Sequence, residues 1–319
     1  MLEYSVALCT YNGARYIAEQ LNSIICQSVP PSQIVVSDDG STDGTIIIVN
    51  KLLSDCGIEY KFLSNNSEHG VTPNFQNAIS NCTYPIVFTS DQDDVWMKNK
   101  AEVMLHFFDN QPKVMLCFSD GELVDSDLQI YGCSLWKSVG LSNKMLKQQD
   151  WFHYLLKSCL ITGAAMAFRK DFYESVGSIP KEWIHDGWLS WAAVARNGLC
   201  PCPSKLFLYR QHTDNVVGMA HNSKGHIKRW LSNFEGVIIT RENRYKRFMY
   251  LKKSMGIFFS DIQNRELDRC IFFWKSLCEM ENKCFFKNLL MMIKFFIYGY
   301  YHKYYVGIRG FFRDLFLLF

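Results

Sequence analysis

The feature that most restricts this chain is a repeated exchange of two hydrophobic periods over its first ninety residues, in which short apolar runs end in clusters of small polar and acidic residues. Ser5 to Cys9 has the composition of a buried strand, and Tyr16 to Cys26 sets Ile17, Leu21, Ile24 and Ile25 at helical spacing. Gln33 to Ser37 repeats the strand and Thr45 to Leu53 the helix. Tyr60 to Leu63 is a third strand, Pro73 to Ile79 a helix opened by Thr72, and Tyr84 to Thr89 a fourth strand. This alternation predicts an α/β fold, a Rossmann-like and mostly parallel sheet with helices on both faces, with ligands at the carboxyl ends of its strands.

The polar clusters fall at those ends. Thr10-Tyr11-Asn12-Gly13 follows the first strand, Asp38-Asp39-Gly40-Ser41-Thr42-Asp43-Gly44 the second, and Asp91-Gln92-Asp93-Asp94 the fourth. In extended chain, residues two apart point the same way, so Asp91 and Asp93 converge on one cation, or on a cation and a ribose hydroxyl. Hard oxygen ligands select Mg2+ or Mn2+, and such an ion bridges the phosphates of a nucleotide-sugar as the diphosphate leaves. Alone, Asp-x-Asp describes a solvated acidic turn equally well; its position after a fourth strand favours function. The second cluster is more specific, because its glycines let backbone approach a ligand while Asp39 accepts hydrogen bonds from a base or ribose. Ser41, Thr42 or Asp43 is expected to cap the next helix.

Further along, the pattern predicts a helix at Lys98 to Phe108 and strands near Val114 to Ser119, Ile161 to Phe168 and Leu206 to Tyr209. Asp186 opens a helix over Trp188 to Arg196, where the helix dipole and free amides favour an ionised carboxylate. It is the candidate general base for an inverting displacement, the alternative being an ordinary acidic first-turn residue. Trp188 is a weak candidate for stacking on an acceptor sugar, since aromatic residues at such spacing are more often core. Arg210 either opposes a phosphate or ties to a carboxylate.

Three segments together carry a resemblance: Val6-Ala7-Leu8-Cys9-Thr10-Tyr11-Asn12-Gly13, Ser37-Asp38-Asp39-Gly40-Ser41-Thr42-Asp43, and Ser90-Asp91-Gln92-Asp93-Asp94-Val95-Trp96. Over roughly residues 4 to 215 the chain resembles family 2 of the inverting nucleotide-sugar glycosyltransferases, which have the GT-A fold. The resemblance implies that Thr10, Tyr11 and Asn12 border the nucleotide, Asp39 contacts the nucleoside, and Asp91 and Asp93 hold ribose and metal. It implies a late metal ligand or diphosphate contact at His212 and the base at Asp186, although Gly187 departs from the bulkier neighbour common in that family. The Asp-Gln-Asp-Asp-Val-Trp form, with Tyr209-Arg210-Gln211-His212 and Asn215-Val216-Val217-Gly218, is similar to a bacterial rhamnosyltransferase-like branch. The implied activity is transfer of a sugar, rhamnose from dTDP-rhamnose first, to a saccharide or lipid-linked acceptor in surface polysaccharide synthesis. UDP-glucose or UDP-galactose is the alternative donor. A nucleotidyltransferase would show a Gly-rich, basic triphosphate loop where this chain has Thr-Tyr-Asn-Gly-Ala-Arg, and retention of all four site aspartates argues against an inactive membrane scaffold.

Charge divides the chain. Residues 1–223 hold 16 Lys+Arg against 23 Asp+Glu, and residues 224–319 hold 18 against 8, so a boundary is expected near His221 to Gly225, with a catalytic domain over 1–222 and a basic, aromatic-rich helical region over 223–319. In the latter, Lys283, Lys287 and Lys294 share a stripe on a helix otherwise rich in Phe, Leu and Ile, which suits the headgroup layer of a membrane rather than nucleic acid. Those lysines and His302 interrupt any run of roughly 18 apolar residues, so no spanning helix is expected. The twelve cysteines show no Cys-x-x-Cys pair and read as free thiols of a reducing compartment. With Glu3 and no basic leader at the start, the expectation is a cytoplasmic protein, peripheral on the inner face of the cell membrane.

Overall fold

The computed structural model describes residues 2–65, 68–212, 234–282 and 285–317. The expected boundary near His221 to Gly225, the Asn215 to Gly218 segment and Lys283 lie outside the described residues.

Strands β1 (Tyr4–Thr10), β2 (Gln33–Asp38), β3 (Glu59–Ser64) and β4 (Ile86–Ser90) alternate with helices Ile17–Ile25, Thr45–Asp55 and Val71–Ser80. They are followed by β5 (Val95–Trp96), β6 (Leu116–Val124), β7 (Ile130–Ser134), β8 (Met166–Arg169) and β9 (Leu199–Arg210). The sheet order is β3-β2-β1-β4-β8-β6-β9-β5, with β7 paired to β6. Parallel pairing aligns Thr10 with Asp38 and Leu8 with Ser90, so the loops carrying the three polar clusters leave the sheet at one edge. Every residue of β1, β2 and β4 is buried, because helices cover this part of the sheet with Ile17, Leu21, Ile24, Val49 and Leu53. Burying each such aliphatic side chain contributes about 1.5–3 kcal/mol.

The expected mostly parallel sheet is corrected to a mixed one. Parallel order holds through the first four strands; β4–β8, β6–β8, β6–β7 and β5–β9 are antiparallel, and only β6–β9 returns to parallel. The strand–helix rhythm stops where the parallel run stops: β7 returns from β6 through a turn in which Asp125 accepts hydrogen bonds from the N–H groups of Asp127 and Gln129. Three local expectations also shift. The helix assigned to Pro73–Ile79 begins at Val71 after Gly70 (φ 129°), leaving Thr72 inside the first turn. The strand assigned to Ile161–Phe168 is a 3-10 turn, Gly163–Ala165, before β8. Gly44 (φ 93°), not a side chain, caps Thr45–Asp55, while Asp43 Oδ1 still accepts from the Thr45 N–H at 3.1 Å.

Two compact units result, residues 1–148, 160–179 and 184–219, and residues 149–159, 180–183 and 220–319. The second is helical: Phe234–Met255, Asp261–Cys278, Phe285–Ile297, Tyr300–Tyr304, Ile308–Phe316 and the earlier Trp151–Lys157. Ser260 and Gln263 form a capping box for Asp261–Cys278. Inside this unit Arg241 Nη2 donates to Asp314 Oδ1 at 2.8 Å, the Tyr301 hydroxyl donates to Asp314 Oδ2 at 3.0 Å, and the Tyr304 hydroxyl donates to Glu266 at 2.6 Å. Among the described residues no helix is long and apolar enough to cross a membrane.

Candidate active site

The loop after β1 is knitted into the loop after β2. The Asn12 N–H donates to Ser41 Oγ and the Thr42 N–H to Asn12 Oδ1 (2.8 and 2.9 Å); the Gly13 N–H donates to Thr45 Oγ1 and the Ala14 N–H to Asp43 Oδ2 (2.8 and 2.9 Å). Asp38, given no role from the sequence, is the organiser beneath them. Its buried carboxylate accepts from Thr10 Oγ1, Ser41 Oγ and the N–H groups of Gly40 and Ser41 at 2.6–3.0 Å. Thr10 therefore spends its hydroxyl inside the protein, whereas the Tyr11 ring stands 57% exposed. Asp39 turns away from Asp38 and accepts from Asn65 Nδ2 (2.7 Å) and the Gly70 N–H (2.9 Å), with His69 Nδ1 at 3.0 Å.

The acidic turn after β4 joins the same edge. Gln92, also unassigned from the sequence, accepts from the Tyr11 N–H through Oε1 (2.8 Å) and donates to the Tyr11 carbonyl through Nε2 (2.9 Å). Asp93 Oδ2 lies 2.9 Å from His212 Nε2, and the His212 ring packs on Tyr16 with centroids 4.8 Å apart. Asp94 is buried and accepts from the Arg210 N–H at 3.1 Å.

Four carboxylates crowd this space. Burial, then Asp93, then Asp186 push Asp91 up to about 7, with Lys100 opposing. Burial with Asp93 and Asp91 pushes Asp94 well above the carboxylate range. The Tyr209 hydroxyl, near the end of β9, is raised by burial and then by the charges of Asp94, Asp91, Asp93 and Asp186. Cys9, at the end of β1, is raised by burial and then by Asp91, with a smaller contribution from Asp39, which ties the nucleoside candidate to the same edge. Lys100 is the one cation acting on both Asp91 and Asp94; it is fully buried, donates from Nζ to the Ala164 carbonyl at 2.8 Å, and lies over the rings of Trp96 and Phe207 at 4.2 and 4.4 Å. Burial lowers it to about 7 against the pull of Asp94 and Asp91.

Asp186 lies in the first turn of helix His185–Ala195, its Oδ1 2.5 Å from the Gly187 N–H. Beside it, His185 is buried and stacked on Phe75 at 4.1 Å, with neither ring nitrogen hydrogen-bonded; burial lowers it to about 3, so it stays neutral.

Two expected roles change. Trp188 is 1% exposed, a core side chain, because the Asp186 end of its helix faces the edge while the ring turns into the protein; it offers no platform for an acceptor sugar. Arg210 is 2% exposed, and its guanidinium donates to the Asp93 carbonyl (2.7 Å), the Ser126 carbonyl (2.5 Å) and Glu19 (2.5 Å), 4.5 Å over the Tyr16 ring. That is the structural tie rather than the phosphate contact, and it fixes the backbone of the acidic turn. Sequence period alone placed Asp91 and Asp93 together. Gln92, Asp94, Lys100 and Tyr209 had no signal beyond lying in or near a motif, since Gln92, Asp94 and Lys100 hydrogen-bond to partners 81, 116 and 64 residues away and Tyr209 feels charges from two distant segments.

A mixed sheet with acidic turns converging at the carboxyl ends of its first strands is the GT-A architecture of nucleotide-sugar glycosyltransferases. The chain belongs to glycosyl transferase family 2, whose pattern matches residues 5–177. It is similar to dTDP-rhamnosyl transferase RfbG of Shigella flexneri, 30% identical over 235 residues, 70% of this chain and 77% of that one. Its fold is similar to that of Staphylococcus aureus TarS 1-349 in complex with UDP-GlcNAc (TM-score 0.60, 18% identity, 86% of this chain and 72% of that one). It also resembles the mannosyltransferase PcManGT of Pyrobaculum calidifontis in complex with GDP-Man and Mn2+ (TM-score 0.57, 16% identity, 99% and 85%). The protein is thus a glycosyltransferase that uses a nucleotide-sugar. Asp186, Arg210 and His212 lie beyond the matched family pattern.

Proposed function

We propose that this enzyme moves rhamnose from dTDP-rhamnose to a saccharide acceptor carried on lipid, with inversion, during synthesis of a bacterial surface polysaccharide. The observation that carries the reading is that Asp93 and Asp186, from two distant segments, both lie near enough to Asp91 to raise the cost of its charge. The likeness to RfbG supports rhamnose as the donor sugar.

The donor set fits Mg2+ or Mn2+. Asp93 and His212 stand side by side as an oxygen and a nitrogen ligand, and the crowded negative charge is what a divalent cation relieves. Among the described residues no three His, Cys, Asp or Glu side chains are grouped so as to hold a metal ion by themselves, so Asp93 and His212 would hold it together with a bound donor. When bound, the ion neutralises charge on the departing diphosphate. Thr10, Tyr11 and Asn12 border the nucleotide, Asp39 takes the nucleoside, and Asp91 holds the ribose. Asp186 accepts the proton of the acceptor hydroxyl as its oxygen bonds to the anomeric carbon; the bond from that carbon to the diphosphate breaks on the opposite face, and the electron pair leaves with the nucleoside diphosphate. Residues 1–222 are assigned to this chemistry.

Residues 223–319 are assigned to contact with an anionic membrane surface. Helix Phe285–Ile297 buries Asn288, Met292 and Phe295 and exposes Phe286, Leu290 and Ile297 (72%, 61% and 72%) beside exposed Lys287 and Lys294. Helix Ile308–Phe316 exposes Ile308, Phe312 and Phe316 beside Arg309, and residues 285–313 contain no acidic residue. Apolar stripes flanked only by cations suit acyl chains beneath anionic headgroups.

The test is turnover of a donor panel, dTDP-rhamnose, UDP-glucose and UDP-galactose, with lipid-linked acceptor and with Mg2+, Mn2+ or chelator. Rapid consumption of dTDP-rhamnose that needs metal and Asp186 is the expected result. Preference for a UDP-hexose overturns the donor, and full activity with chelator overturns the metal.

A further inference from the structure

We propose that Gln92 is a positioning residue that latches the nucleotide-bordering loop to the acidic turn, so that donor affinity depends on an amide that touches neither nucleotide nor metal. This rests on the assignment of Thr10, Tyr11 and Asn12 to the nucleotide and of Asp91 and Asp93 to ribose and metal.

Three observations carry it. First, the Gln92 side chain satisfies both backbone groups of Tyr11, through Oε1 from the N–H at 2.8 Å and through Nε2 to the carbonyl at 2.9 Å. A primary amide reads an N–H and a carbonyl together as a neighbouring strand would, which fixes the orientation of that peptide as well as its position. Second, the latch passes directly over Gly13. A Cβ on Gly13 would lie 2.1 Å from Gln92 Oε1 and 2.4 Å from Cδ, far inside contact distance, so any side chain at this position would push the Gln92 amide off Tyr11. Third, the loop needs fixing. Asn12 holds φ 47°, the left-handed turn conformation that Asn tolerates, and the hydrogen bonds of Asn12, Gly13 and Ala14 to Ser41, Thr42, Asp43 and Thr45 all lie on the β2 side. Gln92 supplies the opposing tie from the β4 side.

The middle residue of the Asp-Gln-Asp turn thereby sets the distance between two ligand-binding loops. Gln92 spends its amide on the neighbouring loop, leaving Asp91 and Asp93 to the ribose and metal roles proposed above.

The experiment is a double-mutant cycle in the full chain over Gly13→Ala, Gln92→Ala and their combination, with Gln92→Met as the variant that keeps bulk and loses both hydrogen bonds. Two readouts are taken, the thermal unfolding midpoint and steady-state kinetics with dTDP-rhamnose. Gly13→Ala should lower the midpoint in the parent and in Gln92→Met but add little in Gln92→Ala, where the obstructing amide is gone. Gln92→Met should raise the donor KM about tenfold, the loss expected of two hydrogen bonds, while kcat changes less than about threefold. Equal cost of Gly13→Ala in all three backgrounds overturns the contact. An unchanged donor KM in Gln92→Met, or a fall confined to kcat, overturns the positioning role. Absence of turnover with dTDP-rhamnose counts against the proposed donor instead, because the unfolding cycle still reports the contact and calorimetric binding of dTDP to Gln92→Met still reports the positioning.

Discussion

In the unit that holds the sheet, Asp93 and Asp186 act on Asp91, and Asp93 and Asp91 act on Asp94, with Lys100 as the buried cation opposing both effects. In the helical unit, Asp314 is fully buried but meets Arg241 at 2.8 Å and the Tyr301 hydroxyl at 3.0 Å, and Glu266 meets Tyr304. One region holds like charges together at a cost in folding, and the other neutralises each charge locally. Crowded carboxylates are poor architecture and good ligand chemistry, because a bound cation would offset the repulsion. A paired buried charge has no such capacity to respond, and it serves to fix one packing of aromatic helices.

The contrast can be broken experimentally. Asp314→Ala leaves Arg241 buried without its carboxylate and should cost about 3–5 kcal/mol, read by urea unfolding; a loss under about 1 kcal/mol would show that Arg241 finds water or another acceptor. Asp186→Asn should cost roughly a hundredfold or more in transfer, about 2.7 kcal/mol in the transition state, with an unfolding midpoint no lower than the parent's, because one charge beside Asp91 is gone. Near-parental rates would remove Asp186 as the base. His185 separates the regions by pH. Its folded value, about 3, lies below the ordinary 6.5, so the folded state resists the proton that the unfolded chain takes up. The His185 contribution to stability is therefore complete above pH 6.5 and is lost as pH falls toward 3, by about 2 kcal/mol at pH 5; Asp91, raised to about 7, gives the opposite slope, so the effect is read as the difference between His185→Phe and the parent across that range. The smallest effect belongs to the exposed face of the helical unit. Leu290→Glu with Ile297→Glu should weaken sedimentation with phosphatidylglycerol vesicles several-fold while leaving turnover of a soluble acceptor unchanged. Equal binding of parent and variant would send that face to another partner.

Much of the first unit is legible in the chain because its signals are local. Apolar runs of β1, β2 and β4, turn glycines and the two-residue spacing of Asp91 and Asp93 are properties of adjacent residues, and parallel order follows from the intervening helices. Legibility fails where a residue's role is set by something far along the chain. Arg210 looks like a phosphate ligand until Asp93, Ser126 and Glu19 are seen to occupy its guanidinium. Trp188 looks like a sugar platform until it is seen to be buried. The antiparallel strands β5, β7 and β8 are short, two to five residues, and carry too little periodicity to announce their direction.

What the sequence determined by itself is the kind of chemistry: which acids exist, that they follow strands, and that a basic aromatic region succeeds them. Tertiary structure alone decided which of those groups are spent as braces and which stay open to a ligand, because that depends on burial and on partners brought together by the register of distant strands. Asp38 and Asp39 make the point, adjacent in the chain and opposite in duty, the first buried under four hydrogen bonds as a brace and the second turned to the loop before Val71.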